Sequence, residues 1–250
     1  TGLWTPDHIV TNVELVDALN AYAQKFNAEH QAEIEAGDCL PVAMSDPDFI
    51  EKASGIKQRH AYIKKGILDI NRMRPEIPER GEDELSHQAG IALEAARLAL
   101  ADAGRDAADI DAVIVSCAYT ERAYPAIAIE VQNALGIDGF GFDMLVACSA
   151  ATFALHRAYE MIRAGTARAV LVINPELITP QVNFCDRDSH FIFGDVATAV
   201  VLERADTARS MHQYEILGTQ AQTIFSSNIR SNFSYMSRVT DEDPFAPDKL

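Results

Sequence analysis

Between residues 86 and 203 the chain alternates short, largely apolar runs with alanine-rich or amphipathic stretches, and this alternation narrows the fold more than any other feature. Asp111–Cys117 (DAVIVSC), Phe142–Ala147 (FDMLVA), Ala169–Ile173 (AVLVI) and Ala197–Glu203 (ATAVVLE) read as strands, with Tyr214–Gly218 as a further one. Between them Ser86–Ala103, ended by Gly104, a stretch opened by Pro125 and closed by Gly136, and Ser149–Ala164, stopped by Gly165, read as helices. A strand apolar on both sides needs cover on both faces. Such strands alternating with helices predict an α/β fold, a mixed sheet with covering helices and right-handed crossovers.

The flanks are less regular. Val13, Leu15, Val16, Leu19, Tyr22 and Phe26 recur at helical spacing behind a cap at Thr11-Asn12. Residues 27–48 are polar and acidic, and 62–84 carry Gly66, Pro75, Pro78 and Gly81 among many charges. Both read as excursions from a core, or a lid. Beyond about residue 222 Ser, Asn and Arg dominate, with no closing element before Leu250.

Composition removes whole classes of function. At 250 residues, 48% hydrophobic and 23% charged, the chain suits one large domain or two small ones and is not disordered. No apolar run reaches the roughly 18–20 residues of a membrane helix. A formal charge of −16 argues against nucleic acid as a partner. Four cysteines, Cys39, Cys117, Cys148 and Cys185, stand apart with no C-x-x-C pair, so neither a zinc site nor a disulfide framework is signalled and a reducing, cytoplasmic setting is expected.

Of these, Cys148 is placed for chemistry. An apolar strand runs straight into it, and Ser149-Ala150-Ala151 open a long helix behind it. A thiol there meets the positive end of a helix dipole and free backbone N–H groups, which favour the thiolate and can hold an oxyanion. A buried structural cysteine is the competing reading. Cys117 ends a buried strand and reads as core. Cys185 stands in Phe184-Cys185-Asp186-Arg187-Asp188-Ser189-His190, a set of metal-capable side chains whose spacing fits no zinc or calcium signature; a structured loop is the plainer reading. Gly136, Gly139 and Gly141 precede a strand, where a dinucleotide fingerprint would follow one, so they mark a turn and no cofactor is expected. Lys57, Arg59, His60, Lys64 and Lys65 form a basic island, either a solvated surface or a local phosphate grip.

FDMLVACSAATFALHRAYEMIRAG, then AVLVIN, then DRDSHFIFGDVATAVVLE together resemble β-ketoacyl-acyl-carrier-protein synthase III, of the thiolase-like fold. The likeness runs from about residue 86 to 203, with weaker matches in Thr1–Pro6 and Phe49–His60. It implies a layered α-β-α-β-α architecture, of which residues 1–222 would be the N-terminal half, with insertions at about 27–48 and 62–84, and 223–250 the start of a bridge to a C-terminal half. It implies that Cys148 takes an acyl group from an acyl-CoA and condenses it with malonyl-acyl-carrier protein, losing carbon dioxide, in fatty acid biosynthesis. In the family a Trp and an Arg sandwich the CoA adenine; Phe49 and Arg187 fall at those positions. A second CoA-site Arg corresponds here to Ala53. Tyr124 falls where an aromatic reaches from the partner subunit to limit the acyl pocket, so a homodimer is expected, and Phe193 matches an aromatic lining the condensation site. The insertions look like those of members that use medium-chain primers such as octanoyl-CoA.

The family's condensation also needs a late His and a late Asn to stabilise an enolate. None of the seven histidines, His8, His30, His60, His87, His156, His190 and His212, stands in the corresponding setting. Both groups are therefore expected beyond residue 250. Two other readings stay open: an acyltransferase or thioesterase that uses Cys148 without decarboxylative condensation, and a non-catalytic dimerising scaffold.

Overall fold

The computed structural model describes residues 1–226, which form two compact units. The predicted bridge at 223–250 lies, beyond residue 226, outside the described residues. The first unit takes Thr1–Thr5, Glu79–Leu177 and Val196–Thr223; the second is built on Pro6–Pro78 and Ile178–Asp195.

The first unit is a five-stranded mixed sheet. Its strands are β1 (Gly2–Trp4), β4 (Ala112–Cys117), β5 (Phe140–Leu145), β6 (Ala169–Glu176) and β7 (Val196–Glu203), in the order β1-β7-β6-β4-β5. β4 runs parallel to both β5 and β6, while β7 runs antiparallel to β6 and β1. Every residue of β4 is buried, as expected of a strand with parallel neighbours and helices on both faces. On one face Ile114, Val170, Val172 and Leu202 pack against Ala154, Ala158 and Met161 of α6 (Ala150–Arg163). Each such aliphatic side chain contributes ~1.5–3 kcal/mol by leaving water. The other face is covered by α4 (His87–Ala103) and α5 (Ile127–Leu135). α4 starts at the Ser86 cap and ends at Gly104 in the left-handed region, and its buried alanines allow an unusually close approach: a Cβ on Gly2 would lie 2.1 Å from the Ala95 carbonyl.

Three expectations shift here. β5 begins and ends two residues earlier than the apolar run suggests, α5 starts at Ile127 and not at Pro125, and Tyr214–Gly218 is not a strand. Tyr214 and Leu217 are exposed, and no strand among the described residues offers that segment a ladder.

The second unit holds α1 (Asn12–Glu29), α2 (Gln31–Ala36), α3 (Pro47–Ser54) and a two-stranded ladder of β2 (His8–Thr11) with β3 (Gln58–Ala61). Thr11 and Glu14 form a reciprocal capping box at the start of α1. The two expected excursions prove to be attached. Asn20 and Asn27 each exchange two hydrogen bonds with the backbone of Ser45 and Val42, strapping residues 42–45 along α1. Ile67 and Met73, inside the proline- and charge-rich stretch, are buried with Val10, Leu15, Ile50, Phe184 and Phe191. Charge density in the sequence concealed two core residues.

Candidate active site

The ladder between β4 and β5 continues one step past the strand, where the Val146 N–H donates to the Cys117 carbonyl at 3.3 Å. There the backbone turns sharply. Ala147 takes a left-handed conformation, φ 45°, at a cost of roughly 1–3 kcal/mol for a residue with a Cβ. Ala147–Ser149 form one short 3-10 turn and α6 follows at once. Cys148 sits on that turn, exposed. Strand, strained turn and helix together lift a nucleophile clear of a sheet. The carboxyl ends of β4, β5 and β6 lie on the same side, which is where open α/β sheets carry their sites. The Ser149 hydroxyl does not cap α6, so the first-turn N–H groups are not claimed by the side chain that most often takes them.

Cys117 has the opposite environment. It is fully buried, its Sγ–H donates to the Tyr119 carbonyl at 3.0 Å, and burial pushes its thiol up to about 12, with the nearby Glu176 and Asp143 carboxylates adding to the shift. It stays a thiol at any physiological pH. Asp143, which interrupts the apolar face of β5, accepts the Ile127 and Ala128 N–H groups at 2.8 Å each and so caps α5 from a distance; burial raises its carboxyl above the usual range. Tyr124 lies on the segment between β4 and α5, 83% exposed.

In the second unit Phe49 and Arg187 come together. Asp46 caps α3 by accepting the Phe49 N–H at 2.7 Å, which sets the ring's position. The Arg187 guanidinium lies 3.9 Å from the Phe49 ring centre, and Phe191 meets the ring edge-on at 6.0 Å. Arg187 is further fixed by Nε donating to the Met44 carbonyl at 2.8 Å and by a 2.9 Å pair with Asp188. The two groups touch, so a ring entering between them must first part them. Phe193 is half-exposed. Its neighbours explain the Phe-Gly-Asp run: a Cβ on Gly194 would lie 2.7 Å from the His60 carbonyl, and the buried Asp195 carboxylate accepts from Tyr62 N, Ile178 N, Thr179 N and Thr179 Oγ1 at 2.6–2.8 Å.

The metal-capable run serves its own loop. Asn183 accepts the Cys185 N–H, Asp186 accepts the Ser189 hydroxyl, and the buried His190 places Nδ1 2.9 Å from the Arg187 carbonyl. Among the described residues no three His, Cys, Asp or Glu side chains converge as metal ligands. The basic island is likewise spent on structure. Arg59 is buried, donating to the Val10 carbonyl and the Asn12 side chain; Lys64 pairs with Glu14, Lys65 with Glu76 and Lys57 with Glu51.

Residues 142–223 match the family model for 3-oxoacyl-[acyl-carrier-protein] synthase III. The chain is 52% identical over 235 residues to a β-ketodecanoyl-[acyl-carrier-protein] synthase of Pseudomonas aeruginosa, an alignment that covers 94% of this chain and 67% of that protein. The chain belongs to the β-ketoacyl-acyl-carrier-protein synthase III family. It is also 34% identical over 194 residues to a β-ketoacyl-[acyl-carrier-protein] synthase III of Rhodobacter capsulatus, covering 77% of this chain and 51% of the relative. A crystal structure of 3-oxoacyl-(acyl carrier protein) synthase III from Pseudomonas aeruginosa PAO1 superposes with a TM-score of 0.59 at 24% identity, over 82% of this chain and 50% of that one, and shares the fold. The chain spans about two thirds of the first relative and about half the length of the other two proteins.

For a member of the synthase III family, the sequence reading missed the supports around Cys148. The left-handed Ala147 carried no signal, since alanine gives no warning of a positive φ. Asp143 carried one: a carboxylate inside an apolar strand needs donors.

Proposed function

We propose that Cys148 is acylated by an acyl-CoA and that the acyl-enzyme condenses with malonyl-acyl-carrier protein, making this chain a β-ketoacyl synthase of fatty acid biosynthesis. The Cys148 thiol gives up its proton and adds as thiolate to the thioester carbonyl, the tetrahedral oxyanion collapses, and coenzyme A leaves as a thiolate that takes up that proton, giving an acyl-cysteine thioester. In the second step malonyl-carrier protein loses carbon dioxide, and the resulting enolate attacks that thioester, releasing the cysteine and a chain two carbons longer. The observation that carries the first step is the exposed Cys148 on a strained strand–turn–helix junction, inside the segment that matches the family model. The enolate needs donors that the histidines of this sequence do not supply in the expected setting, so the chemistry argued from this chain's own residues is the acyl transfer.

A medium-chain primer is supported by the relative whose product is named ketodecanoyl: condensation adds two carbons, so that product corresponds to an octanoyl primer. Phe49 and Arg187 would receive the nucleotide end of CoA, Phe193 would line the condensation site, and Tyr124 would reach into the acyl pocket of a second copy. The edge strand β5, with Phe140 and Leu145 exposed, and the solvent-facing Tyr124 support a homodimer on that side. Intact-protein mass spectrometry after incubation with acetyl-CoA and octanoyl-CoA at equal concentration tests the reading. An octanoyl adduct that forms faster supports it, since each buried CH2 adds about 0.8 kcal/mol. Equal rates would overturn the medium-chain assignment, and no adduct with either would overturn the acyl-transfer role.

A further inference from the structure

The segment joining β4 to α5 has no helix or strand of its own between Ala118 and Ala126, yet it presents Tyr124. Order in such a segment must come from groups outside it. Gln88, in the first turn of α4 and 2% exposed, supplies most of it. Its Nε2 donates to the Tyr119 carbonyl at 2.7 Å and to the Pro175 carbonyl at 2.8 Å, and its Oε1 accepts the Glu121 N–H at 2.9 Å. The Gln88 backbone N–H, one of the donors that a helix start leaves unpaired, donates to the Glu121 carboxylate at 2.9 Å. On the other side Glu176, at the end of β6, accepts the Ala118 N–H at 3.1 Å on each oxygen.

The side-chain amide is hard to replace. It offers two donors and an acceptor in one plane, and all three are used. A glutamate would turn an acceptor toward two carbonyls. A methionine of similar length would remove the side-chain donor to the Pro175 carbonyl and the acceptor of the Glu121 N–H, and leave the Tyr119 carbonyl only the Cys117 thiol. Nothing comparable holds residues 122–124 directly except a loose Arg122–Glu130 pair at 3.9 Å among the described residues. The upstream anchors of Tyr124 thus lie three to six residues before it.

We infer that Gln88 is a positioning residue for primer selection: by clamping residues 118–121 it fixes where Tyr124 is delivered, and so how long an acyl chain the pocket admits. The inference rests on the reading of Tyr124 as an acyl-pocket residue given above. Its test compares the native protein with Gln88→Met, Glu121→Ala and Tyr124→Ala in two measurements. The first is kcat/KM for acylation by acetyl-, octanoyl- and decanoyl-CoA, and the second is hydrogen exchange of the peptide 118–125. Glu121 is exposed, so its variant keeps the fold even where Gln88→Met does not.

The expected result is faster exchange confined to 118–125 in the Gln88 and Glu121 variants. With it comes an octanoyl-to-acetyl preference altered about tenfold, in the same direction as in Tyr124→Ala. A merely structural role would lower all three rates together and leave their ratios alone. Ratios that move in Tyr124→Ala but not in the other two variants would overturn the role of Gln88 and leave the reading of Tyr124 standing. Ratios unmoved in Tyr124→Ala would overturn that reading, and the inference with it. Unchanged exchange at 118–125 in both clamp variants would overturn the clamp itself.

Discussion

The two units reach their order by different means. In the first, strands and helices follow one another in sequence, and their apolar faces meet across one sheet: β4 is buried at every residue, and α4 and α6 present rows of alanine to its neighbours. In the second, pieces from 6–78 and 178–195 share a small apolar core, to which single polar groups aimed at backbone, such as Asn20, Asn27, Arg59 and Asp195, add many of the ties. Hydrophobic packing is tolerant of exchange between similar side chains, whereas a buried polar tie fails as a unit when its one partner is lost. The candidate nucleophile therefore stands next to a broad apolar sheet core, and the candidate nucleotide contacts in the unit with more single polar ties to backbone.

The largest effect expected within the first unit comes from its two cysteines. Cys148→Ala should abolish acyl-enzyme formation by mass spectrometry, while Cys117→Ala should retain it and lose only stability. An adduct that persists in the Cys148 variant would reverse the assignment.

The second unit should show its sensitivity first in acid. Burial holds His190 down to about 4 against an ordinary 6.5, so the folded state keeps it neutral while the unfolded chain takes up a proton. Stability from this residue is complete above pH 6.5, falls between 6.5 and 4, and is level below, a loss of about 3 kcal/mol across the window. Chemical denaturation of the protein and of His190→Leu over that range checks it; equal slopes against pH would sink the claim.

A smaller effect belongs to Phe49→Ala. Losing the stacked face should raise KM for octanoyl-CoA by roughly fivefold to tenfold, about 1 kcal/mol, and leave the acylation rate with an octanoyl-pantetheine lacking the nucleotide unchanged. A parallel loss with both donors would assign Phe49 to the core alone. The smallest concerns Glu14. The Lys64 hydrogen bond, with the Thr11 backbone, holds its carboxyl down to about 2, so its contribution is present above about 4.5 and lost as pH falls through 2. Solvent screens the pair, so Glu14→Gln should cost only a few tenths of a kcal/mol at neutral pH. A loss above 1 kcal/mol, measured by urea denaturation, would show that the capping box matters more than its exposure suggests.

What the sequence disclosed divides along the same line. The caps at Thr11, Gly104 and Gly136 were legible because local geometry demands particular residues there. So were the strand cores and the candidate nucleophile at Cys148. The end of β5 was not, because the turn at Ala147 breaks an apolar run without breaking its composition. The second unit was hardly legible at all. Ile67 and Met73 enter its core from a charged stretch with no period, and Arg59 leaves a row of surface cations for the interior. The placing of Phe49 beside Arg187 has no local signal either; the family resemblance implied a pair flanking a ring, whereas here the two groups stack directly on each other at 3.9 Å.

The sheet order has a consequence in time. β1, Gly2–Trp4, is completed only by β7, whose residues Ala197–Ala199 leave the ribosome long after it. Until then Gly2–Trp4 has no ladder to join, and β6, once made, keeps an open edge until β7 follows it. A topology of this kind makes sheet closure a late event. It also leaves the nascent chain exposed to edge-to-edge pairing with its neighbours on a crowded message.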